Sequence, residues 1–329
     1  MAILVTGGAG FVGLNVVRAL LERGDEVVLF DSGDLPPGAE RSLRPWQRAL
    51  TIERGSVVDA DAVTALLARR PIDRVIHAAA ITSGPVREAR DPAAILDVNL
   101  RGVLNVLDAS RRHRVKRFVY VGSGAAYGES LYRLPRLYES TPSTPTTLYS
   151  ITKHAAERTC MRLAALWKID VVCVRLGTVI GPWERDTGAR DNYGTHTQLA
   201  SRAVAGRTAI LTREAVQRDW IYAPDVAQAL SLLVHAPALG HTLYNVSSGV
   251  PWIDPIPRWC EALAQRYPRF EHRTESDGEA ANIWYTDVNR GLMDIGRLQA
   301  ETRFVPHTMQ AAYAAYLDWM DATPEFFGH

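Results

Sequence analysis

Residues 3–13 carry an apolar strand directly into a glycine-rich turn and out into a helix, Ile-Leu-Val-Thr-Gly-Gly-Ala-Gly-Phe-Val-Gly. Gly7, Gly10 and Gly13 stand at G-x-x-G-x-x-G spacing. In a strand–turn–helix unit the first glycine permits the tight turn, the second admits a pyrophosphate to the backbone, and the third lets the helix pack closely on the strand. The helix N-terminus then offers unpaired N–H groups and a positive dipole end to phosphates. The surroundings agree with that reading. Val12, Val16, Ala19 and Leu20 give residues 12–23 one apolar face, Gly24 stops the helix, and a second strand over 26–30 ends in Asp31. An acid at that point suits the adenosine ribose hydroxyls of NAD. No Arg follows directly to take a 2′-phosphate, which disfavours NADP.

Beyond this unit, strands and helices alternate. Strands are expected near 50–53, 74–77, 117–121, 171–176 and 242–246, and helices near 61–69, 92–113, 149–167, 199–206, 225–235, 256–267 and 309–320. Asp59 or Asp61 caps the first of these helices, and the run from Ile95 to Leu107 has helical apolar spacing. Such alternation implies an α/β fold, a doubly wound parallel sheet of Rossmann type. The second half looks like a smaller mixed cap built from separated segments. The expected division gives residues 1–176 to the nucleotide-binding domain, with 219–246 returning to it, and 177–218 with 247–329 to the cap.

The whole chain sets bounds on function. Its 329 residues suffice for one large or two intimately joined domains. A formal net charge of +1 gives no electrostatic case for nucleic acid or a membrane surface. The basic run 111–117 closes a helix, where cations are favoured. No apolar run approaches the ~20 residues of a membrane span. Cys160, Cys173 and Cys260 lie far apart in sequence and suggest neither a disulfide framework nor a metal site. The first strand starts almost at Met1, leaving no room for a leader, so the expected location is cytoplasmic.

The chemistry-bearing constellation is Tyr149-Ser150-Ile151-Thr152-Lys153, the only Tyr-x-x-x-Lys in the chain. On a helix its two ends share one face, and an ammonium there favours the phenolate that an acid/base at a carbinol requires. Ser123 ends a strand, at the edge where open α/β sheets bind ligands, and can hydrogen-bond the same oxygen. The small-residue turn Ala78-Ala79-Ala80 suits a flat cofactor.

Taken together, these motifs resemble the extended short-chain dehydrogenase/reductases, the NAD-dependent epimerase/dehydratase family of sugar-modifying enzymes. The resemblance runs through 6–13, Asp31, 77–80, Val98-Asn99, 123–128, Tyr149/Lys153, Arg175…Gly181-Pro182, 218–222 and 244–246. It implies Tyr149 as acid/base, Lys153 on the nicotinamide ribose and Ser123 on the reacting hydroxyl. It places Gly7, Gly10, Phe11, Val12, Gly13, Asp31, Ser56, Val57, Ala78, Ala79, Ala80 and Asn99 on NAD. It puts Arg218 on a substrate phosphate, and implies a homodimer through the helices 92–113 and 149–167. Thr82, Gly124 and Thr178 are expected to face the substrate, with Arg185, Arg190, Tyr193 and His196 of the insertion 184–197 as anchors for a smaller or anionic one, or as a solvated loop. Trp252, Trp259 and Trp284 either line a sugar site or pack the cap.

Departures from the family pattern bear on the reaction. Ser56 stands where an Asp reaching the adenine is usual. Gly124 and Ala125 replace the acidic pair of dehydratases, which points to a sugar epimerase, as the 4-epimerases have a small pair there. Thr178 stands where nucleotide-sugar members carry Asn, and 213–217 lacks their usual turn. A net dehydrogenase or reductase of a free sugar, sugar acid or small hydroxy acid is the alternative, and a non-catalytic NAD sensor a further one.

Overall fold

The computed structural model describes residues 2–191, 193–213, 217–283 and 288–328. Seven strands form one parallel sheet: β1 (Ala2–Thr6), β2 (Glu26–Asp31), β3 (Leu50–Arg54), β4 (Ile72–His77), β5 (Arg117–Val121), β6 (Val171–Leu176) and β7 (Leu243–Val246). Their order across the sheet is β3-β2-β1-β4-β5-β6-β7. The chain winds outward from β1 in one direction and from β4 in the other. The crevice at the C-terminal ends of these two strands is therefore the switch point where doubly wound sheets bind ligands. Every residue of β1, β5 and β6 is buried, as their continuous apolar runs require of strands covered on both faces. Arg117 in β5 and Arg175 in β6 are the buried charged exceptions: Arg117 donates to Asp170 at 2.8 Å, and the Arg175 guanidinium makes two 2.7 Å bonds to the equally buried Glu157.

Helix α1 (Phe11–Arg23) leaves the glycine turn and packs against α2 (Ala223–His235), which leads into β7. The expected helix 92–113 is found in three parts: Pro92–Leu96, a π-helical turn at Asp97–Arg101, and Gly102–Arg112. A Cβ at Gly102 would come within 2.6 Å of Val57 Cγ2, so the helix approaches the β3 turn as closely as glycine allows. The helix expected at 199–206 begins earlier, at Thr195–Val204. Cys160 and Cys173 meet in the core; the Cys173 thiol donates to Glu157 O at 3.9 Å, and its neighbour Cys160, together with burial, pushes it well above its ordinary value.

The later segments pair in short parallel ladders. Thr178–Ile180 runs beside Trp220–Tyr222, Ala209–Leu211 beside His272–Thr274, and Arg136–Leu137 beside Leu292–Met293. Their core is aromatic. Trp259 stacks on Tyr316 at 5.1 Å, Trp183 meets Trp319 edge-on at 4.9 Å, and Trp252 meets Tyr313 edge-on at 5.7 Å. Trp252 and Trp259 are thus packing residues, 6 % and 0 % exposed; Trp284 lies outside the described residues. Among the described residues no helix is long and apolar enough to cross a membrane.

Candidate active site

The switch point holds a groove of about 430 Å³, lined by the glycine turn, Asp31, Ser56, Val57 and Ala78–Ala80. Gly7 is left-handed, with φ +68, and a Cβ there would sit 2.6 Å from Ala79 N. A Cβ at Gly13 would sit 2.0 Å from Gly7 O. The turn therefore closes on its own backbone, and the first N–H groups of α1, which no helical carbonyl can reach, face the groove. Both oxygens of Asp31 are held in place, Oδ2 accepting from Ala9 N at 3.0 Å and Oδ1 from Gly33 N at 2.9 Å. Donors for a pyrophosphate lie at one end and a fixed carboxylate at the other. That donor set fits a dinucleotide.

Asn99 does not line this groove. It is 1 % exposed, its Oδ1 accepts from Ile81 N at 2.7 Å, and its Nδ2 donates to Ile81 O and to Thr152 Oγ1. All its amide groups are committed, and it ties the turn after β4 to the helix that carries Tyr149. Ser56 does line the groove, its hydroxyl accepting from Val58 N at 3.2 Å.

A second cavity of about 430 Å³ adjoins the groove and shares Phe11, Val12, Ala78, Ala80, Thr82 and Arg190 with it. Ser123, Tyr149 and Lys153 all line it. Ser123 follows β5, and its hydroxyl accepts from Ala125 N at 3.1 Å, which leaves its own proton free to donate. Tyr149 is the second residue of helix α3 (Leu148–Trp167), started by a Thr147/Ser150 capping box. Glu88 adds a carboxylate there, accepting from Leu148 N at 3.1 Å and Tyr149 N at 3.0 Å. An acid at a helix N-terminus is favourable. Lys153 is 4 % exposed and donates to Val121 O at 2.9 Å. Burial pushes it down to about 8, opposed by Cys160. A larger cavity, about 930 Å³, lies around Arg18, His307 and Trp319 and contains none of these three.

The remaining substrate-facing expectations divide. Thr82, Thr178, Arg190 and Arg218 line the second cavity, while Gly124 is buried with Leu176 O and Met293 Sδ about its α-carbon. Arg190 pairs with Glu184 at 2.7 Å and lies 5.6 Å over the Phe11 ring. Two expectations are corrected. Arg185 lies on the nucleotide groove instead, donating to Ala9 O and Asp34 O. His196 is wholly buried among Trp220, Trp259 and Tyr313, its Nε2 2.8 Å from Tyr313 Oη, and burial pushes it down to about 3. Asp191, Tyr132 and Arg290, which the sequence did not single out, are also at the site, as is Trp220 of the 218–222 motif. Arg290 lies 5.7 Å over Tyr132, with its Nε buried and unpartnered.

Comparisons with known proteins place this geometry. Residues 3–247 match the model of the NAD dependent epimerase/dehydratase family. A dTDP-glucose 4,6-dehydratase of Mycobacterium tuberculosis is 30 % identical over 297 residues, 84 % of this chain and 82 % of the relative. A UDP-glucose 4-epimerase of Mycolicibacterium smegmatis is 31 % identical over 256 residues, 76 % of this chain and 78 % of the relative. The crystal structure of a UDP-glucose 4-epimerase from Thermus thermophilus, a complex with NAD, superposes with a TM-score of 0.75 at 26 % identity, covering 100 % and 99 % of the two chains. The sheet order, the glycine turn and the two adjoining cavities thus have a common explanation: the chain belongs to the NAD-dependent epimerase/dehydratase family, with NAD as its cofactor.

Proposed function

We propose that the protein epimerises a sugar or nucleotide-sugar at a carbinol carbon through a transient ketone. One observation carries the reading. Ser123, Tyr149 and Lys153 share a cavity in which Asp191 is the only carboxylate among the described lining residues, and Asp191 is committed to Gly84 N and Arg87. Eliminating water across two carbons needs a second acid/base set beside the first. Epimerisation needs one, used in both directions.

NAD, held by the glycine turn and Asp31, would supply the hydride acceptor and donor for the carbinol carbon. Tyr149 removes the hydroxyl proton as that carbon is oxidised and returns it on reduction. Ser123 donates to the same oxygen and holds it in line. Lys153, below its folded value of about 8, presents an ammonium to the ribose side. Arg218 is the cation for a substrate phosphate, and the ketone turns over within the cavity before reduction. The reading includes a homodimer through α3 and the helix of 102–112, which leave Leu104, Ile151 and Leu166 exposed by 41–54 %.

The test begins with denaturing the purified protein and quantifying released nucleotide. Near-stoichiometric NAD, followed by interconversion of UDP-glucose and UDP-galactose or of related nucleotide-sugars without net NADH, is the expected result. A second reading, a dehydrogenase of a free sugar or sugar acid, draws on Thr178, which lines the cavity where nucleotide-sugar members carry Asn. Freely exchanging NAD, with NADH accumulating on such substrates, would replace the first reading by the second.

A further inference from the structure

Between β6 and the helix Thr195–Val204 the chain leaves the sheet and lines the nucleotide groove. It departs through Gly181 at φ +128 and Trp183 at φ +73, a left-handed conformation that a bulky side chain seldom adopts. Trp183 is 2 % exposed, so cap packing holds this bend. Glu184, 1 % exposed, closes the base of the excursion by accepting from Arg190, from Gly194 N and from the Thr197 hydroxyl.

From that base the segment reaches both walls of the groove. Arg185 donates to Ala9 O at 3.0 Å, in the glycine turn, and to Asp34 O at 2.8 Å, beyond β2. Thr187, Gly188 and Ala189 then line the groove opposite the N-terminus of α1. On the far side Thr82 N donates to Ala189 O and Asp191 N to Thr82 O, a one-rung parallel bridge. The Asp191 carboxylate accepts from Gly84 N at 2.7 Å and from Arg87 Nε at 2.5 Å. Burial opposes its charge, yet these two partners hold it below the ordinary carboxylate value.

Arg87 and Glu88 are neighbours on one short helix, Pro85–Arg90. Glu88 holds the amides of Leu148 and Tyr149. The chain of contacts therefore runs from the front of the groove to the residue beside the reacting carbon.

We propose that residues 185–191 are a strap over bound NAD, latched by Arg185 and Asp191, and that the Asp191 latch also positions the N-terminus of α3 through Arg87 and Glu88. Enclosing the cofactor and placing Tyr149 are then one event. The proposal deepens the reading of Tyr149 above and rests on it. Arg185 and Asp191 act as positioning residues, and their charge-assisted bonds must break before the nucleotide can leave.

The test uses purified holoenzyme as wild type, Arg185→Ala, Asp191→Asn and, breaking the second latch from its other side, Arg87→Ala. Two quantities are measured: the rate at which NAD appears in the filtrate after dilution, and hydrogen–deuterium exchange at the Leu148 and Tyr149 amides. All three variants are expected to release NAD at least about tenfold faster. Only Asp191→Asn and Arg87→Ala should also exchange those two amides faster. Wild-type release rates throughout would overturn the strap. Faster release with unchanged amide exchange in both Asp191→Asn and Arg87→Ala would overturn the link to α3. Neither readout uses a sugar, so failure of the proposed reaction would be seen separately.

Discussion

The nucleotide groove and the cavity beside it share a wall but are assembled differently. Most of the groove's lining comes from the turns that follow β1, β2, β3 and β4, all within the first third of the chain, with residues 185–190 supplying another wall. The cavity is mostly side chains, brought from as far apart as Phe11, Ser123, Tyr149, Thr178, Arg218 and Arg290. A site made of turns is fixed by local spacing, since three glycines determine where the amides point. A site made of side chains is fixed only when every segment carrying one has been placed. The first tolerates change in neighbouring side chains and not in its glycines. The second should respond to each substitution according to that residue's own task.

The sharpest separation of the two comes from Tyr149→Phe. It should lower kcat by about 10²–10⁴-fold while leaving bound NAD near stoichiometric, read by turnover and by nucleotide release. Unchanged turnover would remove Tyr149 from the chemistry. Gly13→Ala attacks the other region. Its Cβ would stand 2.0 Å from Gly7 O, so the turn must shift, and the purified protein should retain less than about a tenth of its NAD. Full retention would mean that the turn does not set the affinity.

Arg218→Ala is expected to raise KM for a nucleotide-sugar by about 10–100-fold, the worth of a charge-assisted bond, with a smaller change in kcat. An equal effect on a free sugar would dissociate Arg218 from a phosphate.

The smallest effect concerns stability. His77 and His196 are fully buried and pushed by desolvation to about 3. Between 3 and the ordinary 6.5 the unfolded chain holds two protons that the folded one does not. Their contribution is complete above pH 6.5 and is lost as pH falls, at about 1.4 kcal/mol per unit for each. Asp219, raised by burial to about 7, works in the opposite sense between 3.8 and 7, its burial cost easing as pH falls. These three groups therefore leave a net loss of about one proton's slope from pH 6.5 down to 4. His196→Gln should reduce the measured slope by about 1.4 kcal/mol per pH unit in urea titrations across that range and leave KM within about twofold, because His196 is packed among Trp220, Trp259 and Tyr313. A large KM change would return it to the substrate site.

The alternation of strands and helices was readable because most central strands carry an apolar run, as in residues 2–5, 118–121 and 171–174, bounded by turn residues. The glycine turn, Asp31, Ser123 and the Tyr149/Lys153 pair were readable because their spacing is local. The π-helical turn at Asp97–Arg101 was not, since nothing in that apolar spacing distinguishes it from α-helix; its neighbour Gly102 marks only a close approach. Arg185, Arg190 and Asp191 were visible as charges in a glycine-containing excursion. Which wall each would reach depends on where Ala9, Asp34 and Arg87 stand in space. His196 was misread because a polar side chain in a charged insertion looks solvated until a ring cluster closes around it. Glu88 gave no sequence signal at all, as the amides it holds belong to residues 148 and 149.

The seventh strand sets a schedule for synthesis. On one side β6 pairs with β5, and on the other its partner is β7. Residue 176 leaves the ribosome well before residue 246. At ~5–20 residues per second the outer edge of β6 stays open for roughly 3–14 s. That edge, Val171–Leu176, is a fully buried strand in the finished protein and an exposed apolar template until then. An unpaired apolar edge is a template for pairing with another chain, and this one is covered when Leu243–Val246 docks.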